Sequence, residues 1–159
     1  GGAVGGLLYR YLIGKPKETA DFTANQIAAA QNSALSFWEW EKEHRIEEVY
    51  FVEKPLVSEA HRFGGTQDIY CRMADGNREL IDLKTGNGIW PEHFYQVAAL
   101  RMLLREHGHR VDRCRIVNIP RTEDETFVEK VLSEQELETG WDIFLACLKI
   151  YSLKKKNGR

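Results

Sequence analysis

The spacing of apolar positions along this chain changes several times, and each change marks an element. Residues 3–13 (AVGGLLYRYLI) predict a short helix, weakened by Gly5 and Gly6 and ended by Gly14, Lys15 and Pro16. Between 23 and 44, Ile27, Ala30, Ala34, Phe37, Trp38 and then Trp40 or Glu41 recur at roughly helical spacing and predict a long helix. Thr23 is placed as its N-cap, and Gln26 completes a capping box. The period then falls to two. Residues 47–54 (EEVYFVEK) have strand composition, and Pro55 is expected to limit their pairing. Residues 66–73 (TQDIYCRM) and 79–84 (ELIDLK) flank Ala74-Asp75-Gly76-Asn77, whose Asp-Gly pair signals a hairpin. Thr85-Gly86-Asn87-Gly88 breaks the third strand.

A helix follows from Pro91 to His107, with proline suited to its first turn and Gly108 to its stop. Val97, Ala98, Leu100, Met102, Leu103 and Leu104 surround most of its girth, so it should be largely buried. Residues 112–119 (DRCRIVNI) alternate as a strand does, and 125–131 predict a further one. Residues 133–152 form a final amphipathic helix, with Ser133 as N-cap and Glu136 closing a capping box. Three strands joined by hairpins, then a crossover helix to another strand, predict an α/β fold with a mixed central sheet flanked by helices. A length of 159 residues suits one domain, with a helical part at 1–45 and a core at 46–153.

Composition narrows the function classes. The formal net charge is -2, so no global positive charge announces nucleic acid. A path for DNA would need local clusters, either Arg110, Arg113 and Arg115 or the tail Lys154, Lys155 and Lys156. The tail reads more simply as a solvated, frayed end. Cys71, Cys114 and Cys147 form no CxxC pair, which argues against a disulfide framework or a structural zinc and for reduced thiols. No apolar run reaches transmembrane length, and no signal peptide is visible.

The chemistry-bearing residues lie on the two strands of the Asp75-Gly76 hairpin. Asp82 and Lys84 are two apart, so both project from one face of the third strand. Asp68 is on the preceding strand, where antiparallel pairing can bring it opposite Asp82 at about 4.5–5.5 Å between Cβ atoms. Two adjacent carboxylates on an apolar sheet repel each other and resist burial. Lys84 offsets part of this, and a Mg²⁺ ion, which takes oxygen ligands, would offset more. Such an ion can acidify a water and stabilise charge on a phosphodiester, with Lys84 orienting the water or neutralising negative charge. A plain Asp-Lys pair beside a hairpin is the structural alternative.

The run Gly65-Thr66-Gln67-Asp68-Ile69-Tyr70, then Leu80-Ile81-Asp82-Leu83-Lys84-Thr85-Gly86, then a helix containing Gln96, resembles the RecB-like branch of the PD-(D/E)xK nucleases. The likeness covers about residues 47–104 and implies a restriction-endonuclease-like core. It implies that Asp68 and Asp82 bind Mg²⁺ or Mn²⁺, with the backbone carbonyl of Leu83 as a further ligand. It also implies that Lys84 acts on the attacking water and that Gln96 positions DNA or the lysine. Glu53 resembles an acidic residue often found on the strand before Gly-x-x-Asp, where it would be an auxiliary ligand; an exposed strand glutamate is the alternative.

Two departures from the family pattern stand out. The Gln motif usually carries Tyr four residues on, where this chain has Leu100. The family's opening helix, Gly-Thr-x-Val-His with Glu four residues later, can be laid on residues 3–14, so that Gly5 replaces the His and Tyr9 the Glu. A metal ligand would then be missing, unless Glu39, Glu41, Glu43 or His44 supplies it. The four cysteines of the iron–sulfur branch are not present, so no cluster is expected.

Trp90, His61, Arg62 and Thr85 are the candidate DNA contacts, with Trp38 and Trp40 as further stacking candidates and Trp38 the one expected in the core. His93 either neighbours the site or caps its helix, while His107 and His109 flank a helix stop. The expected function is metal-dependent hydrolysis of DNA, as an exonuclease in recombination, repair or phage replication, in the cytoplasm of a bacterial or phage-infected cell. A non-catalytic DNA- or partner-binding domain and a structure-specific endonuclease are the alternatives.

Overall fold

The computed structural model describes residues 24–122 and 124–158. The expected helix at 3–13, its Gly5 and Tyr9, and the Thr23 cap lie outside them. The described elements are α1 (Ala24–Glu43), β1 (Ile46–Ser58), β2 (Phe63–Met73), β3 (Arg78–Thr85), α2 (Pro91–Glu106), β4 (Arg113–Ile119), β5 (Val128–Val131) and α3 (Glu134–Lys156). The architecture is α/β, with a mixed five-stranded sheet in the order β1-β2-β3-β4-β5 between helices. β3 and β4 run parallel, joined through α2, and every other neighbouring pair is antiparallel.

β1 runs through Pro55 to Ser58, where the sequence predicted an end near 54. Pro55 sits opposite Thr66 in the ladder. Among the described residues β1 is an edge strand with no strand beside one row of its backbone donors, so a missing N–H is tolerated there. The β2–β3 hairpin closes as its residues dictate. Gly76 takes φ +87°, and Asp75 Oδ1 accepts the Asn77 N–H at 3.0 Å.

Alternation sends two apolar sets to opposite faces of the sheet. Ile69, Cys71, Met73, Ile81, Leu83, Val117 and Ile119 pack with Phe37 and Trp40 of α1. Tyr70, Leu80 and Ile116 pack with Val97, Leu103 and Leu104 of α2 and Leu137 of α3. Trp40, three residues from Phe37, shares its buried face, whereas Trp38 points outward and is 48% exposed, against expectation. Gly140 lets α3 close on α2, because a Cβ there would meet the Phe94 carbonyl oxygen at 3.1 Å. Ser133 caps α3 reciprocally with Glu136. Lys154, Lys155 and Lys156 form the last turn of that helix rather than a frayed end. No described helix is long and apolar enough to cross a membrane.

The arginines considered as a DNA path are instead neutralised. Glu79 is fully buried and takes Arg113 Nε and both Nε and a terminal nitrogen of Arg115. Arg115 also pairs with Glu129 at 2.5 Å and stands over the Trp40 ring, and Arg113 reaches Asp75 at 2.8 Å. Arg110 pairs with Asp112 at 3.2 Å. Removing one member of a buried ion network strands the others in a medium that solvates charge poorly. Glu79→Gln is therefore expected to lower the unfolding free energy by about 3–5 kcal/mol in urea titration; a loss under about 1 kcal/mol would show that the network contributes little.

Candidate active site

The site lies where two strands part. β2 and β3 stay paired from Arg72 opposite Arg78 to Ile69 opposite Ile81. Beyond that point β2 follows β1, while β3 continues along β4 to Thr85 opposite Ile119. Asp68 and Asp82 are the first residues past the last shared pair. Their side chains are almost wholly buried, with 3% and 4% of the residue exposed. Asp68 Oδ2 accepts the backbone N–H of Leu83 at 2.8 Å, so the carboxylate of one strand satisfies the other where the ladder opens.

Strand alternation slips by one residue at the fork. Gly65 and Gln67 meet α2, and so does Tyr70, although odd and even positions should face apart. β1 slips at the same level, since Phe51 and Leu56 both pack on the α2 side. The register is kept because both strands slip together: Val52 opposes Ile69 and Lys54 opposes Gln67. Between them Glu53 adopts φ +50°, a left-handed backbone that non-glycine residues rarely take.

Lys84 projects toward α2 beside Asp82. Its Nζ donates to Gln96 Oε1 at 3.0 Å and lies 3.1 Å from Asp82 Oδ2. That second approach is not directed as a hydrogen bond, and among the described residues buried Asp82 Oδ2 has no hydrogen-bond donor. His93, one turn before Gln96, accepts the Trp90 N–H through Nδ1 at 3.1 Å, which places its own proton on Nε2. Partial burial and then the Lys84 ammonium hold His93 below the usual imidazole range, so it stays neutral. The four side chains Asp68, Asp82, Lys84 and Gln96 line a cleft of about 270 Å³, completed by Phe63, Leu100 and Phe144 and by the backbone at Gly64 and Gly65.

The remaining expected site residues fall elsewhere. Glu53 does not join the aspartates in a metal-binding group: among the described residues no three His, Cys, Asp or Glu side chains are placed to hold one ion. Glu39, Glu41, Glu43 and His44 belong to α1 and its end, across the sheet from the cleft, and His44 lies 3.9 Å from Glu129. They supply no ligand to the fork. His61 and Arg62 sit at the β1–β2 turn, about 20 Å along the extended chain from Asp68. His61 meets the Trp141 ring edge-on and comes within 3.9 Å of Glu106. Thr85, next after Lys84, projects to the opposite face. Trp90 is the N-cap of α2 and is 54% exposed. Burial pushes the thiols of Cys71 and Cys114 up to about 12, which leaves both unreactive.

Comparison with known proteins adds the fold. No protein-family model matches the chain, and no curated protein does. The structure is similar to that of a candidate exonuclease from Eubacterium rectale, with a TM-score of 0.68 over 98% of this chain and 14% sequence identity. This chain spans 66% of that protein's chain. SSO0001 is more distant, with a TM-score of 0.41 at 12% identity, over 91% of this chain and 84% of that one. The shared feature is a restriction-endonuclease-like arrangement of a mixed sheet between helices.

Two cleft residues, Phe63 and Phe144, escaped the sequence reading, and so did the tie that Gln67 makes to α2. Gln67 donates to the Leu100 carbonyl at 3.1 Å and ties the fork strand to α2. Phe63 and Phe144 come from distant elements with no shared spacing. Gly65 was read only as part of a motif, yet its missing Cβ sets how closely α2 approaches: a Cβ there would lie 2.7 Å from Leu100 Cδ2. Gly65→Ala is expected to destabilise the domain by about 1–3 kcal/mol through overpacking, and that cost should fall by at least half when it is measured in a Leu100→Ala background. An equal cost of Gly65→Ala in the native and Leu100→Ala backgrounds, compared by thermal melting, would show that this approach is not what the glycine permits.

Proposed function

We propose that this domain is a Mg²⁺- or Mn²⁺-dependent DNA nuclease of the PD-(D/E)xK type, with Asp68 and Asp82 as its metal-holding carboxylates. One observation carries the reading. Among the described residues Asp82 Oδ2 is buried and receives no directed hydrogen bond, with the Lys84 ammonium 3.1 Å away as its counter-charge, beside a second buried carboxylate, in a cleft open to a ligand. Two buried carboxylates beside one ammonium leave a net negative charge whose burial costs free energy. A divalent cation would offset that cost, and a donor set of oxygens alone suits Mg²⁺ or Mn²⁺. Leu83 supports the set further. Its N–H points into the fork, and in an extended strand the carbonyl of the same residue faces the same neighbour. Bound there, the ion would acidify a water and neutralise charge on a phosphodiester.

The side chains divide the remaining work. Gln96 takes one N–H of the Lys84 ammonium and fixes its direction. An ammonium has three donors, so others are left for a water or a phosphate oxygen. The partly buried setting strengthens that contact relative to bulk water. His93 is neutral and adds no second charge beside the lysine. Exonuclease action follows the likeness to the Eubacterium rectale protein, and roles in recombination, repair or phage replication follow the resemblance of the motifs.

Two measurements test this. Incubation with linear and circular DNA, single- and double-stranded, should show degradation of linear DNA with Mg²⁺ or Mn²⁺ and none in EDTA. Lys84→Ala should lose about 10²–10⁴-fold in rate. Nicking of circles would replace the exonuclease with an endonuclease. Mg²⁺ at about a hundredfold its Kd stabilises a protein by about 2.7 kcal/mol, here a rise of roughly 5–10 °C in Tm. Asp82→Asn should abolish that rise. Metal-insensitive melting together with DNA binding and no cleavage would instead identify a binding module.

A further inference from the structure

We propose that the outer face of α3 is a docking surface for a second copy of this chain, the two helices packing antiparallel through Ile143, Ala146, Ile150 and Leu153. The proposal is independent of the chemistry at the strand fork. The inner side of α3 packs on the domain. Leu137 is buried there, Gly140 meets Phe94 and Ala98 of α2, Phe144 closes the cleft and Leu148 is half-buried. The stripe lies on the side turned away from these residues. Its members follow one another at intervals of three, four and three, which keeps them on one face of the helix. That spacing is the seam two helices share when they pack side by side. Ala146 is exposed, and Ile150 and Leu153 are each 54% exposed, so among the described residues they remain uncovered.

Charge names the occupant. Every charged residue of α3 up to Asp142 is acidic, and every one from Lys149 onward is basic. Glu134 is taken by Arg101 and Glu136 by Lys130, which leaves Glu138 and Asp142. Glu138, Asp142, Lys149 and Lys156 follow at intervals of four, seven and seven and share one flank of the stripe. An antiparallel copy brings its Lys156 between Glu138 and Asp142, and symmetry makes that contact twice. A parallel copy would set basic end on basic end. A foreign acidic helix would suit the lysines but would turn like charge toward Glu138 and Asp142. Side-chain size agrees with the antiparallel pairing. Ile143 then faces Leu153, and small Ala146 faces Ile150, whereas parallel pairing sets Ala146 on itself. Ile143 also borders a groove of about 290 Å³ with Phe94, Tyr95, Thr139 and Gly140, toward which Leu153 of the second copy is brought. Lys149 meets its own copy near the axis, where its long side chain reaches solvent. A seam of about three turns buries less than the roughly 1,200 Å² of a standard interface, so the dimer forms at micromolar concentration.

The test measures the mass of the full chain by sedimentation equilibrium between about 5 and about 200 µM. A monomer–dimer equilibrium is expected. Ile150→Glu, at an exposed position, should weaken it by roughly a hundredfold or more and leave the melting of the dilute monomer unchanged. Lys156→Glu should weaken it about tenfold, since the pair occurs twice, and adding Asp142→Lys should restore it. Cys147 is the one exposed thiol, because Cys71 and Cys114 are buried, and it flanks the middle of the stripe. A short bismaleimide should therefore link two copies, and Cys147→Ser should remove the link while the dimer persists. A chain that stays monomeric across this range would overturn the inference. So would a dimer indifferent to Ile150→Glu, or one that Cys147 does not link. A monomer that binds a synthetic helical peptide with leucines along its seam and glutamates beside it would give the face to a foreign partner, and would overturn the inference as well.

Discussion

The parting of β2 from β3 at Asp68 and Asp82 is the constraint on which the rest of the domain turns. Where two strands separate inside a protein, their backbone donors lose the ladder that satisfied them. Here one donor, the Leu83 N–H, is taken up by the Asp68 carboxylate. Among the described residues the same opening leaves Asp82 Oδ2 buried with no directed hydrogen bond, beside the Lys84 ammonium. Asp68 has a local role in the sheet through its bond to Leu83, whereas a hydrophobic residue in place of Asp82 would avoid burying a second carboxylate. Keeping two carboxylates there makes sense if something cationic from outside completes them.

The surroundings hold the fork open and in place. β1 and β2 slip together at Glu53 and Asp68, which turns both strands without breaking their register. α2 is anchored to the fork by Lys84 through Gln96 and by Gln67 through the Leu100 carbonyl. Gly65 and Gly140 let β2, α2 and α3 approach closely enough for Phe63, Leu100 and Phe144 to close the far side of the cleft. On the other face, Glu79 collects Arg113 and Arg115, so that the positive charge of β4 holds the sheet and leaves little for a substrate.

Much of this was legible in the sequence. The Asp75-Gly76 turn fixed the β2–β3 hairpin, and the two-residue spacing of Asp82 and Lys84 put both on one side of β3. The mixed sheet followed from the order of the elements. What failed to show had local physical causes. Pro55 looked like a strand end because the edge position of β1 is a tertiary fact. Trp38 and Trp40 are both large and apolar, and only the packing of α1 on Cys71 and Leu83 decides that Trp40 is buried. The clustered arginines of 110–115 looked like a nucleic-acid patch because Glu79 and Glu129, their partners, come from β3 and β5. The Phe63–Phe144 pair joins the start of β2 to the middle of α3, a contact that no spacing along the chain encodes.

The account stands or falls on whether the two aspartates share one divalent cation. Crystals soaked in Mn²⁺ and measured at the manganese absorption edge test this directly. The account predicts one anomalous peak at the strand fork, within about 2.5 Å of an oxygen from each of Asp68 and Asp82. A fork without such a peak, or manganese held only at other carboxylates, would contradict it.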